Sequence, residues 1–110
     1  VFDQYVDFGK RTLEYLKRYE EIALTIKSLV RKKFKDASVY LFGSVLKGRV
    51  TALSDIDILI VCNIDRSEAI KLKTDIIKRI GLDVPVQIHI ATADEFNSWY
   101  KRFIDEMREI

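Results

Sequence analysis

Two carboxylates, Asp55 and Asp57, flank Ile56 just ahead of the apolar run Ile58-Leu59-Ile60-Val61. In an extended strand, residues i and i+2 project from the same face, so the two acids sit side by side. Packing gives no reason for such a pair. Like charges that close repel and titrate as a coupled unit unless a cation lies between them. An exposed pair of strand acids is the plain alternative, but it leaves a second feature unexplained. The pair Gly43-Ser44 stands upstream, separated from Asp55 by ten residues. A divalent metal that serves a phosphate accounts for both features.

Gly43 lets a ligand approach the backbone with no Cβ in the way. Ser44 offers a hydroxyl where a short helical turn begins, and unpaired N–H groups there suit an anion. The intervening residues give the chain room to return as a neighbouring strand, which puts phosphate cradle and carboxylates in one cleft. Oxygen ligands alone suit a hard cation, Mg2+ or Mn2+, that keeps positions open for water and substrate phosphates. Zinc would want nitrogen or sulfur ligands that the motif lacks. Lys47 and Arg49 lie in the loop, either as further phosphate contacts or as solvated charges. The pattern is neither the Walker A sequence nor the G-x-G-x-x-G dinucleotide fingerprint.

The elements that must position these residues follow from periodicity and punctuation. Leu13, Leu16, Tyr19, Ala23, Ile26 and Val30 recur at three- and four-residue steps, predicting one long helix over about 10–34. Its cationic end, Arg31-Lys32-Lys33-Phe34-Lys35, complements the helix dipole; a phosphate- or RNA-contacting patch is the sharper alternative. Strands are expected over 39–42, 56–61 and 84–90, the last with Pro85 near its start. Asp65-Arg66-Ser67-Glu68 reads as a capping box for a helix that turns Ala69, Ile70, Ile76, Ile77 and Ile80 inward and stops at Gly81. Thr92-Ala93-Asp94-Glu95 is a second capping box. It opens a final helix over about 94–107, whose Phe96, Trp99, Tyr100, Phe103 and Met107 read as core or an oligomer contact before a base-stacking platform. The fold class is therefore α/β (α+β): one domain over 1–110, with a small mixed sheet, flanking helices and a core over about 38–107.

Composition agrees with a soluble globular domain. A chain of 110 residues with 48% hydrophobic and 33% charged residues can bury one core and is not of disordered type. The net charge of +2 makes no demand for nucleic acid as a partner. Cys62, the one cysteine, excludes an internal disulfide and a cysteine zinc cluster, and reads as a small buried thiol. No apolar run reaches membrane-spanning length and no signal peptide is visible, so the expected location is the cytoplasm. Abundant Ile, Lys and Glu hint at a heat-adapted source.

The pattern Gly43-Ser44-x10-Asp55-x-Asp57 resembles the nucleotidyltransferase superfamily typified by DNA polymerase beta, and the short chain resembles its minimal branch. The likeness covers about 39–103. It implies the polymerase beta-like fold and transfer of a nucleoside monophosphate, AMP from ATP as the expected case, to an acceptor hydroxyl. By this resemblance Gly43 and Ser44 hold the nucleoside triphosphate, Asp55 and Asp57 bind Mg2+, and a third carboxylate on a later strand helps activate the hydroxyl. The resemblance further implies a small helical HEPN-type protein as partner, in a toxin–antitoxin pair in which this chain is the antitoxin. A homo-oligomer is a second partner reading.

The chain departs from that pattern on the later strand, Val86-Gln87-Ile88-His89-Ile90. Gln87 occupies the slot of the third carboxylate. Its amide can offer an oxygen to a metal but has no charge and cannot act as a base. His89 shares its face, as either a base or a hydrogen-bonded structural histidine. The alternative function is thus a nucleotide- and metal-binding module that acts by holding a partner protein.

Overall fold

The computed structural model describes residues 2–43, 45–48, 51 and 53–110. It begins with two helices, α1 (Phe2–Lys17) and α2 (Tyr19–Lys33), where periodicity alone predicts one. The break falls at Arg18, whose φ and ψ of −100° and 28° leave the helical region. Its N–H is shared between the carbonyls of Glu14 and Tyr15, at 3.3 and 3.0 Å. The apolar stripe runs on across this kink, with Leu16, Ala23, Ile26 and Val30 all buried. The cationic end of α2 has protein partners. Lys33 pairs with Asp75 at 2.9 Å, and the Arg31 Nε–H donates to the carbonyl of Ala37 at 3.0 Å.

Three strands follow the sequence expectation closely: β1 (Ser38–Phe42), β2 (Ile56–Val61) and β3 (Val86–Ala91). Between β2 and β3 lies α3 (Arg66–Ile80). Asp65 caps it, accepting from the Glu68 N–H at 2.8 Å, while Glu68 accepts from the Asp65 N–H at 3.3 Å. Gly81 ends it as expected. One inward residue was misassigned. Ile70 is 63% exposed and Leu72 is buried, because the inward stripe steps from Ala69 to Leu72 to Ile76 and Ile70 lies a full 100° off it.

The predicted final helix over 94–107 breaks into three pieces. A short helix, α4 (Ala93–Ser98), carries the expected Thr92–Glu95 capping box. A 3-10 helix over Tyr100–Glu106 follows, and then a fourth strand, β4 (Met107–Glu109). Phe103, with φ and ψ of −105° and 16°, leaves helical geometry inside the 3-10 segment. What ends the helix is pairing: Phe42, Leu41 and Tyr40 of β1 take Met107, Arg108 and Glu109 as antiparallel partners. The Ile110 N–H extends this ladder to the carbonyl of Val39.

The sheet order is β3-β2-β1-β4, with β1 antiparallel to both neighbours and β2 parallel to β3. One face packs against α2 and α3. Ile56, Ile58, Ile60, Val39, Leu41 and Ile88 meet the helices there in a single buried cluster. The opposite face carries Asp57, Leu59, Phe42, Tyr40, Gln87 and His89, and Phe96 of α4 stacks on Tyr40 with ring centroids 5.2 Å apart. Register is thereby fixed, since a one-residue slip of β2 would drive Asp57 into the apolar cluster. Ile58→Ala is expected to cost about 2–5 kcal/mol through the lost methylenes and the cavity left behind. Urea unfolding checks this as a lower midpoint at unchanged slope.

Candidate active site

The site is built where β1 ends and β2 begins. Apolar alternation commits Ile56, Ile58 and Ile60 to the helix-packed face, so Asp57 must emerge on the other. Asp55, just before the strand, is exposed and precedes Asp57 by two residues in extended chain, which sets it on the same side. Gln87 is the direct partner of Asp57 across the parallel pair, and Phe42 its partner across the antiparallel pair. The register therefore brings the expected third position against the carboxylates. What stands there is an amide. Among the described residues, no group of three or more His, Cys, Asp or Glu side chains could hold a metal ion.

Gly43 follows Phe42 and adopts φ of +88°, a left-handed conformation that favours glycine. It also lies hard against the acid: a Cβ at Gly43 would run into the Asp57 carboxylate. Two requirements thus converge on one position, a backbone turn and a close approach. The chain then turns back at once, the Leu46 N–H donating to the Gly43 carbonyl at 3.2 Å. Ser44, expected as a phosphate contact, and Arg49, read as either a phosphate contact or a solvated charge, lie outside the described residues. Lys47 is described, exposed, and lines a cavity together with Gly43.

Electrostatics favour a cation at this point. Burial raises the Asp57 carboxyl above the ordinary carboxylate range, and the charge of Asp55 raises it further; His89 pulls the other way. A carboxylate lifted in this manner is relieved by a positive charge. His89 sits beside Leu59 on β3, two residues beyond Gln87 and on its face. Burial holds its imidazole below the ordinary histidine value, with Asp57 opposing that shift. The His89 ring meets the Phe42 ring at 5.3 Å, tilted by 54°. Phe42 and His89 stand on the strands to either side of β2, so their rings close over it beside Asp57. This roof was not foreseen from the sequence. The signal available was the alternation Tyr40-x-Phe42, which puts both rings on the face of the acids.

The donor set fits a hard divalent cation. Two carboxylates and one amide oxygen are all-oxygen ligands, and Mg2+ commonly binds one or two carboxylates and completes its shell with water and substrate phosphates. The missing Cβ at Gly43 is what lets the Asp57 carboxylate stand against the backbone turn. Cys62, by contrast, is buried at the far end of β2, where burial raises its thiol. No helix among the described residues is long and apolar enough to cross a membrane.

Comparison with known proteins bears on this arrangement. The sequence model of the family described as "Nucleotidyltransferase domain" matches residues 20–110. A crystal structure of a protein assigned as a candidate nucleotidyltransferase superposes with a TM-score of 0.64 and is 34% identical, covering 78% of this chain and 94% of that one. A second such protein, from Sulfolobus solfataricus, is 24% identical with a TM-score of 0.59, covering 92% of this chain and 86% of its own, and attests the fold. No curated protein matches the sequence.

Proposed function

Because the chain belongs to the nucleotidyltransferase domain family and is a nucleotidyltransferase, we propose that it transfers AMP from ATP to a hydroxyl acceptor with Mg2+ held at Asp55 and Asp57. The observation that carries this reading is the juxtaposition of Gly43 and Asp57, a side-chain-free backbone turn pressed against a half-buried carboxylate. Asp55, Asp57 and the Gln87 amide oxygen would hold the metal, which supplies charge stabilisation to an in-line phosphoryl displacement. Gly43 admits the triphosphate, and Lys47 at the loop offers a cation to its charge. The Asp57 carboxylate is held by β2, with its neighbours locked in the core, so the acid keeps one position. His89, kept neutral by burial, is a proton acceptor within the same face.

The acceptor we propose is a hydroxyl on a partner protein of small helical HEPN type, with this chain as the antitoxin. The N-terminal part of α1 exposes Phe2, Tyr5 and Phe8. An apolar surface of this kind is what a protein partner covers. Gln87 favours a second reading, a module that binds nucleotide and metal and acts by holding that partner.

Incubation of the chain with labelled ATP, Mg2+ and the candidate partner separates these. Label transfer that disappears in Asp55→Ala is the expected result. If the wild type transfers nothing and Gln87→Glu restores transfer, the binding module is correct. In an active wild type, Gln87→Glu is expected to raise the affinity for the metal, seen as saturation at lower Mg2+ concentration, because it adds a third negative ligand.

A further inference from the structure

A cavity of about 310 Å3 opens directly beside Gly43. Half of its lining residues are aromatic: Phe42 from β1, and Trp99, Tyr100 and Phe103 from the segment joining α4 to β4. These aromatics were expected as core or as an oligomer contact. Trp99 is 55% and Phe103 39% exposed, which sets these two rings outside the core, and neither α4 nor the 3-10 helix contains a buried residue. The rings are nevertheless ordered among themselves. Trp99 and Phe103 meet edge to face at 6.2 Å, and the Arg102 guanidinium lies over the Trp99 ring at 4.3 Å. Lys47, Glu106 and Met107 complete the lining with Gly43.

Resting on the nucleotidyl-transfer reading above, we propose that this cavity receives the heteroaromatic base of the bound nucleotide. Continuity sets the occupant. Gly43 is shared between the cavity and the carboxylate site, so a ligand whose phosphates lie at Gly43 and Asp57 extends its other end into the ring-lined space. The volume is within the range of about 300–1,000 Å3 usual for small-molecule pockets. Aromatic walls stack flat rings of any base identity. The Glu106 carboxylate disfavours a phosphate inside the cavity and accepts from the N–H groups that bases carry. Lys47 stands toward the loop, where the phosphates enter. The break of the predicted helix at Phe103 gains a meaning here, since it turns the chain around the cavity and delivers Met107 to the edge of β1.

Trp99 is the chain's one tryptophan, so its fluorescence reports on this cavity alone. The intact protein is titrated with Mg2+ plus ATP and with Mg2+ plus inorganic tripolyphosphate, reading heat and Trp99 emission together. Both ligands are expected to bind, ATP at least about fivefold more tightly, as one stacked base is worth about 1–3 kcal/mol. Only ATP should change the emission. Phe103→Ala, at an exposed position that leaves the fluorophore in place, should weaken ATP by about tenfold and leave tripolyphosphate unchanged. Equal affinities with no change in emission would overturn the inference while leaving the metal-triphosphate site standing. So would a Phe103→Ala variant that loses both ligands equally, or one that alters only the oligomeric state in sedimentation. If neither ligand binds, this inference and the functional reading beneath it both fall.

Discussion

Asp57→Asn is expected to abolish nucleotidyl transfer and at the same time to stabilise the metal-free protein. The catalytic loss follows from the site. In the proposed two-carboxylate metal site, with an amide already at Gln87, removing one charged ligand would leave a single carboxylate for the metal. A loss of at least about 10²–10³ in rate is the expectation for removing one preorganised electrostatic group. The stability gain follows from the sign of the Asp57 shift. Burial raises its folded-state pKa above the unfolded value, so the folded chain holds the proton more tightly than the unfolded chain. Ionised Asp57 therefore opposes folding. The penalty is absent below the unfolded pKa, grows as pH rises between the two values, and is complete above the raised one. At neutral pH, without metal, Asp57→Asn should melt above the wild type, and the difference should close as pH falls through the carboxylate range. Thermal unfolding in chelator at several pH values checks this. Added Mg2+ with ATP should reverse the order, since only the wild type gains stability from binding.

Gly43→Ala carries the second large effect, and it acts on fold and site together. The left-handed φ of +88° costs about 1–3 kcal/mol for a residue with a Cβ. That Cβ also displaces the Asp57 carboxylate. A misplacement of about 1 Å can cost about 10²-fold in rate, so transfer should fall by at least that much. Gly81→Ala is the control. Gly81 has φ of +103°, ends α3, and has open space where a Cβ would go. It should lose comparable stability and keep transfer. Unfolding midpoints and label-transfer rates, measured on both variants, separate backbone strain from damage to the site.

The parts of this fold visible in the sequence are those governed by local chemistry. β2 has a fully buried side and a definite head at Asp55, and α3 carries a capping box at one end and a glycine at the other. Thr92 and Glu95 announce α4 in the same way. The parts that were not visible depend on distant partners. Phe96, Trp99, Tyr100, Phe103 and Met107 have helical spacing, and no local signal shows that β1 has an open edge for Met107–Glu109 to join. Tertiary pairing overrode the helical period there. The single predicted N-terminal helix became two because its apolar stripe passes through Arg18 without interruption, so the kink leaves no mark on the pattern.

The site divides along the same line. Residue types at fixed spacing singled out Gly43, Asp55 and Asp57 as candidates, and strand alternation placed Gln87 and His89 on one face. The contact of Gly43 with Asp57, the pairing of Gln87 with Asp57 and the Phe42–His89 roof all depend on the register between strands. The ring-lined cavity depends on β4, and so could not be read before that strand was known. Arg31 and Lys33 show the converse. A basic helix end, read as solvated charge complementing the helix dipole with a phosphate patch as the alternative, has Arg31 and Lys33 engaged with Ala37 and Asp75 in the folded chain.

Calorimetry of ATP binding with and without Mg2+, on the wild type and on the Asp55→Ala/Asp57→Ala pair, tests the central claim most directly. Saturable binding by the wild type that requires Mg2+ and disappears in the double variant is expected, with the variant's circular dichroism unchanged. Binding that is indifferent to Mg2+, or that survives loss of both acids, would contradict a metal-bound triphosphate held between Gly43 and Asp57.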